Sequence, residues 1–157
     1  MINKILKSMK VKLNTIASQD EKIFLITGAN SGLGYETSKF LLKKGATVIM
    51  CCRDLIKGER AKQKLSMFNY KGNMQLVELD LSDLNNVKSA TNKIRNQFSH
   101  IDVLINNAGI MAPPFTLSKQ GLEIQFAVNH LAHMSLTLEL LPLLKKAGTS
   151  LYHLSAP

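Results

Sequence analysis

Eight residues near the front of the chain, Thr27-Gly28-Ala29-Asn30-Ser31-Gly32-Leu33-Gly34, restrict the fold more than any other feature. They follow a short apolar run, Ile23–Ile26, of the length of a buried strand. They open a segment with Leu33, Thr37, Phe40 and Leu41 at helical spacing, stopped by Gly45. Strand, glycine turn and helix in succession are the setting in which such a pattern can hold a phosphate. Gly28 permits the tight turn, Gly32 lets backbone approach a pyrophosphate, and Gly34 lets the helix lie close to the strand. The helix start offers unpaired N–H groups and the positive end of its dipole. Gly28, Asn30, Ser31, Gly32, Leu33 and Gly34 are therefore candidate diphosphate-binding residues. The Gly-x-x-x-Gly-x-Gly spacing is one residue wider than the commonest dinucleotide fingerprint, and a glycine-rich turn that binds nothing is the competing reading.

A length of 157 residues suits one domain with a real core. Apolar residues make up 45% and charged residues 20%, which describes a globular chain rather than a disordered one. The net charge of +9 is spread along the chain without aromatic-interleaved basic patches, which argues against nucleic acid and for at most an attraction to anionic ligands. Cys51 and Cys52 are adjacent, so on a strand they face opposite ways and suggest neither a disulfide nor a metal site. No metal is expected. A reducing, intracellular compartment is the simpler inference, cytoplasmic or at a membrane surface. Residues 1–20 precede the fold proper, which is expected over 21–157. Ile2, Ile5, Leu6, Met9, Leu13 and Ile16 recur at helical spacing among Lys4, Lys7, Lys10 and Lys12, a pattern that could rest on an anionic membrane. A surface helix or frayed leader is the alternative.

After the first unit, Ala46–Cys51 reads as a second buried strand. At its end, where an NAD site would place an acid on the ribose hydroxyl, stand Cys52 and Arg53. A carboxylate there would repel a 2′-phosphate, whereas a guanidinium grips it. The expected cofactor is NADP(H) rather than NAD(H), with Arg53 as discriminator and Ser31 as second contact; the rival reading pairs Arg53 with Asp54 or Glu59. Asp54–Phe68 is a polar amphipathic helix, and Met74–Leu79 a third strand ending in Asp80-Leu81. Asp80 could accept from an adenine amino group or cap the next helix, a role also open to Ser82. That helix carries Leu84, Val87, Ala90, Ile94 and Phe98. The alternation predicts a Rossmann-type doubly wound parallel α/β sheet of about five strands.

A fourth strand, Ile101–Ile105, runs into Asn106-Asn107-Ala108-Gly109, where amides can bind neighbouring main chain and small residues admit a flat ring. Asn129 lies midway along an apolar helical stretch, Leu122–Leu144, where an amide needs a partner or a purpose. His130 and His133 have no third ligand nearby and read as packing or surface residues. Pro142 is expected to kink or restart this helix, which ends near Lys145–Gly148.

The turn Thr27–Gly34, Asp80-Leu81, Asn106-Asn107-Ala108-Gly109 and Asn129, in this order, resemble the short-chain dehydrogenase/reductase family. Cys51-Cys52-Arg53-Asp54 and Gly121–His133 sharpen the likeness to its retinol-dehydrogenase-like branch. The resemblance covers Ile23 to about Ser155. It implies that the glycine turn and Arg53 hold the pyrophosphate and 2′-phosphate, and Asp80 and Leu81 the adenine. Asn106, Asn107, Ala108 and Gly109 would form the nicotinamide side, with Asn107–Gly109 lining the pocket near its ribose. It further implies that Asn129 supports a water-mediated proton relay through its main chain, and that the substrate is a lipophilic alcohol or carbonyl such as a retinoid or steroid.

The pattern breaks at the end. Thr149–Ser155 reads as a fifth strand, and the family's paired serines there fall on Ser155 and Ala156. Ser155 is the candidate catalytic hydroxyl only if the strand slips by one, which exchanges buried and exposed faces. The family's Tyr and Lys, four apart on the following helix, have no counterpart in these residues. They are the pair that moves a proton at the substrate oxygen. The expected molecule is thus the cofactor half of an NADP-dependent oxidoreductase, with the C-terminal part of the fold missing and the enzyme inactive alone. The rivals are a non-catalytic NADP(H)-binding module and a chain that does not fold stably. The open edge of the fifth strand is where self-association into a homo-oligomer is expected.

Overall fold

The computed structural model describes residues 16–148 and 150–153. The N-terminal amphipathic pattern lies almost wholly outside the described residues, and so do Ser155 and Ala156. Five parallel strands, β1 (Ile23–Thr27), β2 (Thr47–Cys52), β3 (Asn73–Glu78), β4 (Val103–Asn106) and β5 (Ser150–His153), stand in the order β3-β2-β1-β4-β5. Helices α1 (Gly32–Lys43), α2 (Leu55–Ser66), α3 (Leu84–Gln97) and α4 (Ala132–Lys146) connect them. A single helical turn (Ile124–Phe126) and a π-helical segment (Ala127–Leu131) lead into α4.

Alternation along the strands divides the core in two. Leu25, Ile49, Cys51 and Leu104 face α3 and α4, meeting Val87, Ile94, Leu136 and Leu140. Phe24, Ile26, Val48 and Met50 face the other layer, meeting Leu41, Leu42, Ala61 and Leu65 of α1 and α2. A strand covered on both sides must be apolar at every position, which is why β1 and β2 read as unbroken hydrophobic runs rather than alternating ones. Each fully buried Leu, Ile or Val contributes about 1.5–3 kcal/mol, so the two layers together outweigh any single surface contact. At the foot of β1, Asp102 accepts from Lys22 Nζ at 2.9 Å and from the Ile23 amide at 2.8 Å. Burial pushes its carboxyl up, but those contacts outweigh burial and hold it below the usual range.

Three details differ from the expectations. The buried stripe of α1 is Gly34, Ser38, Leu41 and Leu42 rather than one including Leu33, whose side chain is exposed. Neither Asp80 nor Ser82 caps α3; Asp83 does, accepting from the Asn85 amide at 3.0 Å. Pro142 does not restart α4, which runs through it from Ala132 to Lys146. It sits on the exposed side of that helix, where the carbonyl that loses its N–H partner can reach water. The irregularity lies instead at Ala127–Leu131, one residue wider per turn than an α-helix.

Candidate functional site

The chain leaves β1 toward β2 on one side and places β4 on the other, so the carboxyl ends of β1 and β4 flank a crevice at the point where strand order reverses. A cleft of about 300 Å³ opens there. It is lined by Gly28, Asn30, Ser31, Arg53, Asp80, Leu81, Ala108 and Gly109, together with Thr27, Lys57 and Ile110. Four separate stretches of sequence thus converge on one wall-to-wall space. A larger groove between α3 and α4, about 490 Å³, lies away from the strand ends. Its only charged pair, Arg95 and Glu139, already interacts at 3.3 Å, so it offers no chemistry of its own.

The glycine turn has the shape an anion needs. Gly28 adopts φ +67° and Gly32 φ +54°, both in the left-handed region that disfavours a side chain. A Cβ on Gly34 would overlap the Gly28 carbonyl oxygen and lie 2.6 Å from Asn107 Nδ2, so only glycine lets α1 sit this close. Space in front of Gly32 is open to 4 Å. Helix capping carries a further contrast. Asp54 caps α2 and Asp83 caps α3 with their carboxylates, whereas Ser31 at the head of α1 makes no side-chain cap. The first-turn amides of α1 and its dipole therefore face the cleft without a resident negative charge.

At the end of the cleft beside β2 and β3, Arg53 is exposed at the rim and, among the described residues, enters no ion pair. The anticipated competitor Asp54 accepts instead from the Lys57 amide at 3.0 Å and lies 3.7 Å from Lys57 Nζ. Asp80 accepts through Oδ1 from the Ser82 amide (2.9 Å) and hydroxyl (2.6 Å), which orients its carboxylate at the end of β3. Cys52, also on this wall, is pushed up to about 11 by burial and by the nearby carboxylates of Asp54, Glu59 and Glu78.

The opposite end is built from part-buried hydrogen bonds between side chains and main chain. Asn107 donates through Nδ2 to the Thr27 carbonyl at 2.9 Å, and Thr27 Oγ1 accepts from the amides of Asn107 and Ala108, each at 2.9 Å. Asn106 turns the other way, donating to Thr137 Oγ1 of α4 at 3.1 Å, with its Oδ1 buried and unpaired. Asn129, at the centre of the π-helical segment, closes on the Ile110 main chain in both directions: it accepts from Ile110 N at 2.9 Å and donates to Ile110 O at 2.8 Å. That pairing answers why an amide interrupts an apolar helix, since leaving such a group buried and unmet costs about 1–3 kcal/mol. Six of the expected residues do not line the cleft themselves: Gly32, Leu33 and Gly34 form the first turn of α1, and Asn106, Asn107 and Asn129 bond to Thr137, Thr27 and Ile110 respectively.

Residues 22–150 match the short chain dehydrogenase family. The chain belongs to that family. Mouse retinol dehydrogenase 14 is 45% identical over 139 residues, covering 82% of this chain and 42% of the relative. Human retinol dehydrogenase 11 is 40% identical over 131 residues, covering 82% and 41%. Among solved structures, an uncharacterised protein from Mycobacterium paratuberculosis is 44% identical at a TM-score of 0.71, covering 83% of this chain and 46% of that one. The Pseudomonas aeruginosa RhlG/NADP active-site complex is 29% identical, also at 0.71, covering 83% and 50%. The chain thus spans about two-fifths of the length of the curated relatives it matches. Membership implies a nicotinamide dinucleotide, and the residues fit one: a cradle that only glycine permits, an uncapped helix head, and a cationic rim.

Two residues hold bonds that the sequence alone did not assign to them. Thr27 is fully buried and ties β1 to the exit of β4; its place inside the glycine turn hid a role unrelated to phosphate. His133 is buried and contacts both Thr27 Oγ1 (3.0 Å) and the Asn129 carbonyl (3.2 Å), while His130 is exposed beside the Phe126 ring. The four-residue step from Asn129 to His133 on a helix was the available signal.

Proposed function

We propose that this chain is the cofactor-binding portion of an NADP(H)-dependent short-chain dehydrogenase that interconverts an alcohol and a carbonyl. One observation carries the reading. Gly28, Asn30 and Ser31 of the glycine turn, Arg53, Asp80-Leu81 and Ala108-Gly109, spread over some eighty residues of sequence, line a single cleft at the carboxyl ends of the strands. In this reading the amides from Gly28 to Gly34 hold the pyrophosphate, Arg53 with Ser31 holds the 2′-phosphate, and Asp80 and Leu81 hold the adenine. Asn107, Ala108 and Gly109 border the nicotinamide ribose, with Asn106 behind them. Asn129 serves proton movement through its main chain, and Ser155 steadies the substrate oxygen if its strand adopts the slipped register over Ala156. When bound, the nicotinamide supplies or accepts the hydride. The names of the retinol dehydrogenase relatives support a retinol-like, lipophilic substrate.

The test is calorimetric titration with NADPH and NADH of the wild-type chain and of Arg53→Ala. Hydrogen bonds to a charged group are worth about 1.5–3 kcal/mol, so the substitution should lower NADPH affinity roughly tenfold or more and leave NADH unchanged. An unaltered NADPH preference removes Arg53 from the assignment. An assay with generic alcohols and ketones separates an enzyme from a binding module: NADPH binding without turnover selects the module.

A further inference from the structure

The tautomer of His133 can be read from its neighbours. A hydroxyl has one hydrogen and two acceptor lone pairs. Thr27 Oγ1 accepts from the amides of both Asn107 and Ala108, so its own hydrogen is directed to His133 Nε2, 3.0 Å away. On the far side of the ring, Nδ1 lies 3.2 Å from the carbonyl oxygen of Asn129, which can only accept. Two independent contacts therefore demand the same state, a hydrogen on Nδ1 and a bare Nε2.

That state closes a circuit. Thr27 holds the front of the segment Asn107–Ile110 through two amides, and the Asn129 side chain holds its back at Ile110. The His133 ring joins the two holders, and the same turn of α4 is fastened to the adjoining end of β4, since Thr137 donates to the His133 carbonyl at 2.7 Å and accepts from Asn106. The whole circuit lies under the end of the cleft opposite Arg53.

We propose that His133 is a positioning residue for the nicotinamide half of the site: its Nδ1-protonated ring sets where Asn107–Ile110 lies by fastening Thr27 to Asn129. This rests on the dinucleotide reading above, and the experiment separates the two. Wild type, His133→Phe and His133→Gln are titrated with NADPH and with adenosine 2′,5′-bisphosphate, which carries the adenine and 2′-phosphate but no nicotinamide. His133→Phe should weaken NADPH roughly tenfold, the size of one or two lost hydrogen bonds, with adenosine 2′,5′-bisphosphate unchanged. His133→Gln should recover most of the loss, because its Oε1 can accept from Thr27. Equal losses for both ligands, or none for either, overturn the proposal while the cofactor reading stands. Wild-type protein that binds neither ligand overturns that reading and this one with it. Should His133→Phe fail to fold, nitrogen NMR of the wild-type ring decides: the Nδ1–H pattern supports the proposal, and an Nε2–H or doubly protonated ring refutes it.

Discussion

The two ends of the cleft are made by opposite means. At the end beside β4, buried Thr27 and His133 and half-buried Asn107 and Asn129 hold main chain to main chain through hydrogen bonds of 2.8–3.2 Å. At the end beside β2 and β3, Arg53 and Lys57 stand exposed, and the nearest acids, Asp54 and Asp80, are oriented by local amides and hydroxyls. The first kind of construction fixes geometry as part of folding, so damage to it lowers stability and binding together. The second adds charge to a frame that already exists, so it can change which dinucleotide is preferred while leaving the fold alone. Position and selectivity are thereby separable in one site.

The largest effect should come from breaking the frame. Gly34→Ala forces a methyl against the Gly28 carbonyl and the Asn107 amide, and overpacking of this kind costs about 3 kcal/mol. Urea denaturation should show that loss, with NADPH binding lost in parallel; a midpoint equal to wild type would show that the frame yields where we describe it as rigid. Arg53→Ala is the counterpart at the other end. Its NADPH affinity should fall roughly tenfold while stability stays within about 0.5 kcal/mol of wild type. A large stability loss there would erase the distinction.

Acid sharpens the comparison further. Hydrogen bonds from Lys119 (2.8 Å) and Gln120 (3.1 Å) lower the Asp83 carboxyl from its ordinary 3.8 to about 2, next to the Asp80–Ser82 rim. A carboxyl lowered on folding takes up its proton first in the unfolded chain. Its contribution is complete above about pH 4 and is lost as pH falls toward 2. Between pH 5 and 2.5, urea midpoints should fall more steeply for wild type than for Asp83→Asn, and parallel slopes would contradict the assignment. The smallest effect concerns the thiols. Cys51 is pushed up by burial and by Cys52, and Cys52 by burial and its acidic neighbours, so neither should react with a disulfide reagent at pH 8 until the chain unfolds. Rapid labelling of folded protein would mean the wall of the cleft at Cys52 opens.

What was legible in the sequence follows the same division. Local periodicity and glycine placement are short-range signals, so β1, β2, the turn at Gly28 and the layered alternation could be read directly from residues such as Phe24, Leu25 and Ile26. The same holds for Arg53, whose meaning comes from its place after β2. The end beside β4 depends on partners far apart in the chain. Asn129 needs Ile110, nineteen residues away, and Thr27 meets Asn107 across eighty; no periodicity encodes such pairs. The π-helical widening at Ala127–Leu131 was hidden for that reason, and Pro142 was the one irregularity the apolar run offered. Leu33 misled because one apolar residue at helical phase looks like core even where the helix head faces outward.

The most direct test of the account is calorimetric titration of the 157-residue chain with NADPH and then NADH. The account predicts a single site for NADPH with at least roughly tenfold weaker binding of NADH, as expected for one guanidinium–phosphate contact. Folded protein that gives no heat with either dinucleotide, or equal affinity for both, would contradict it.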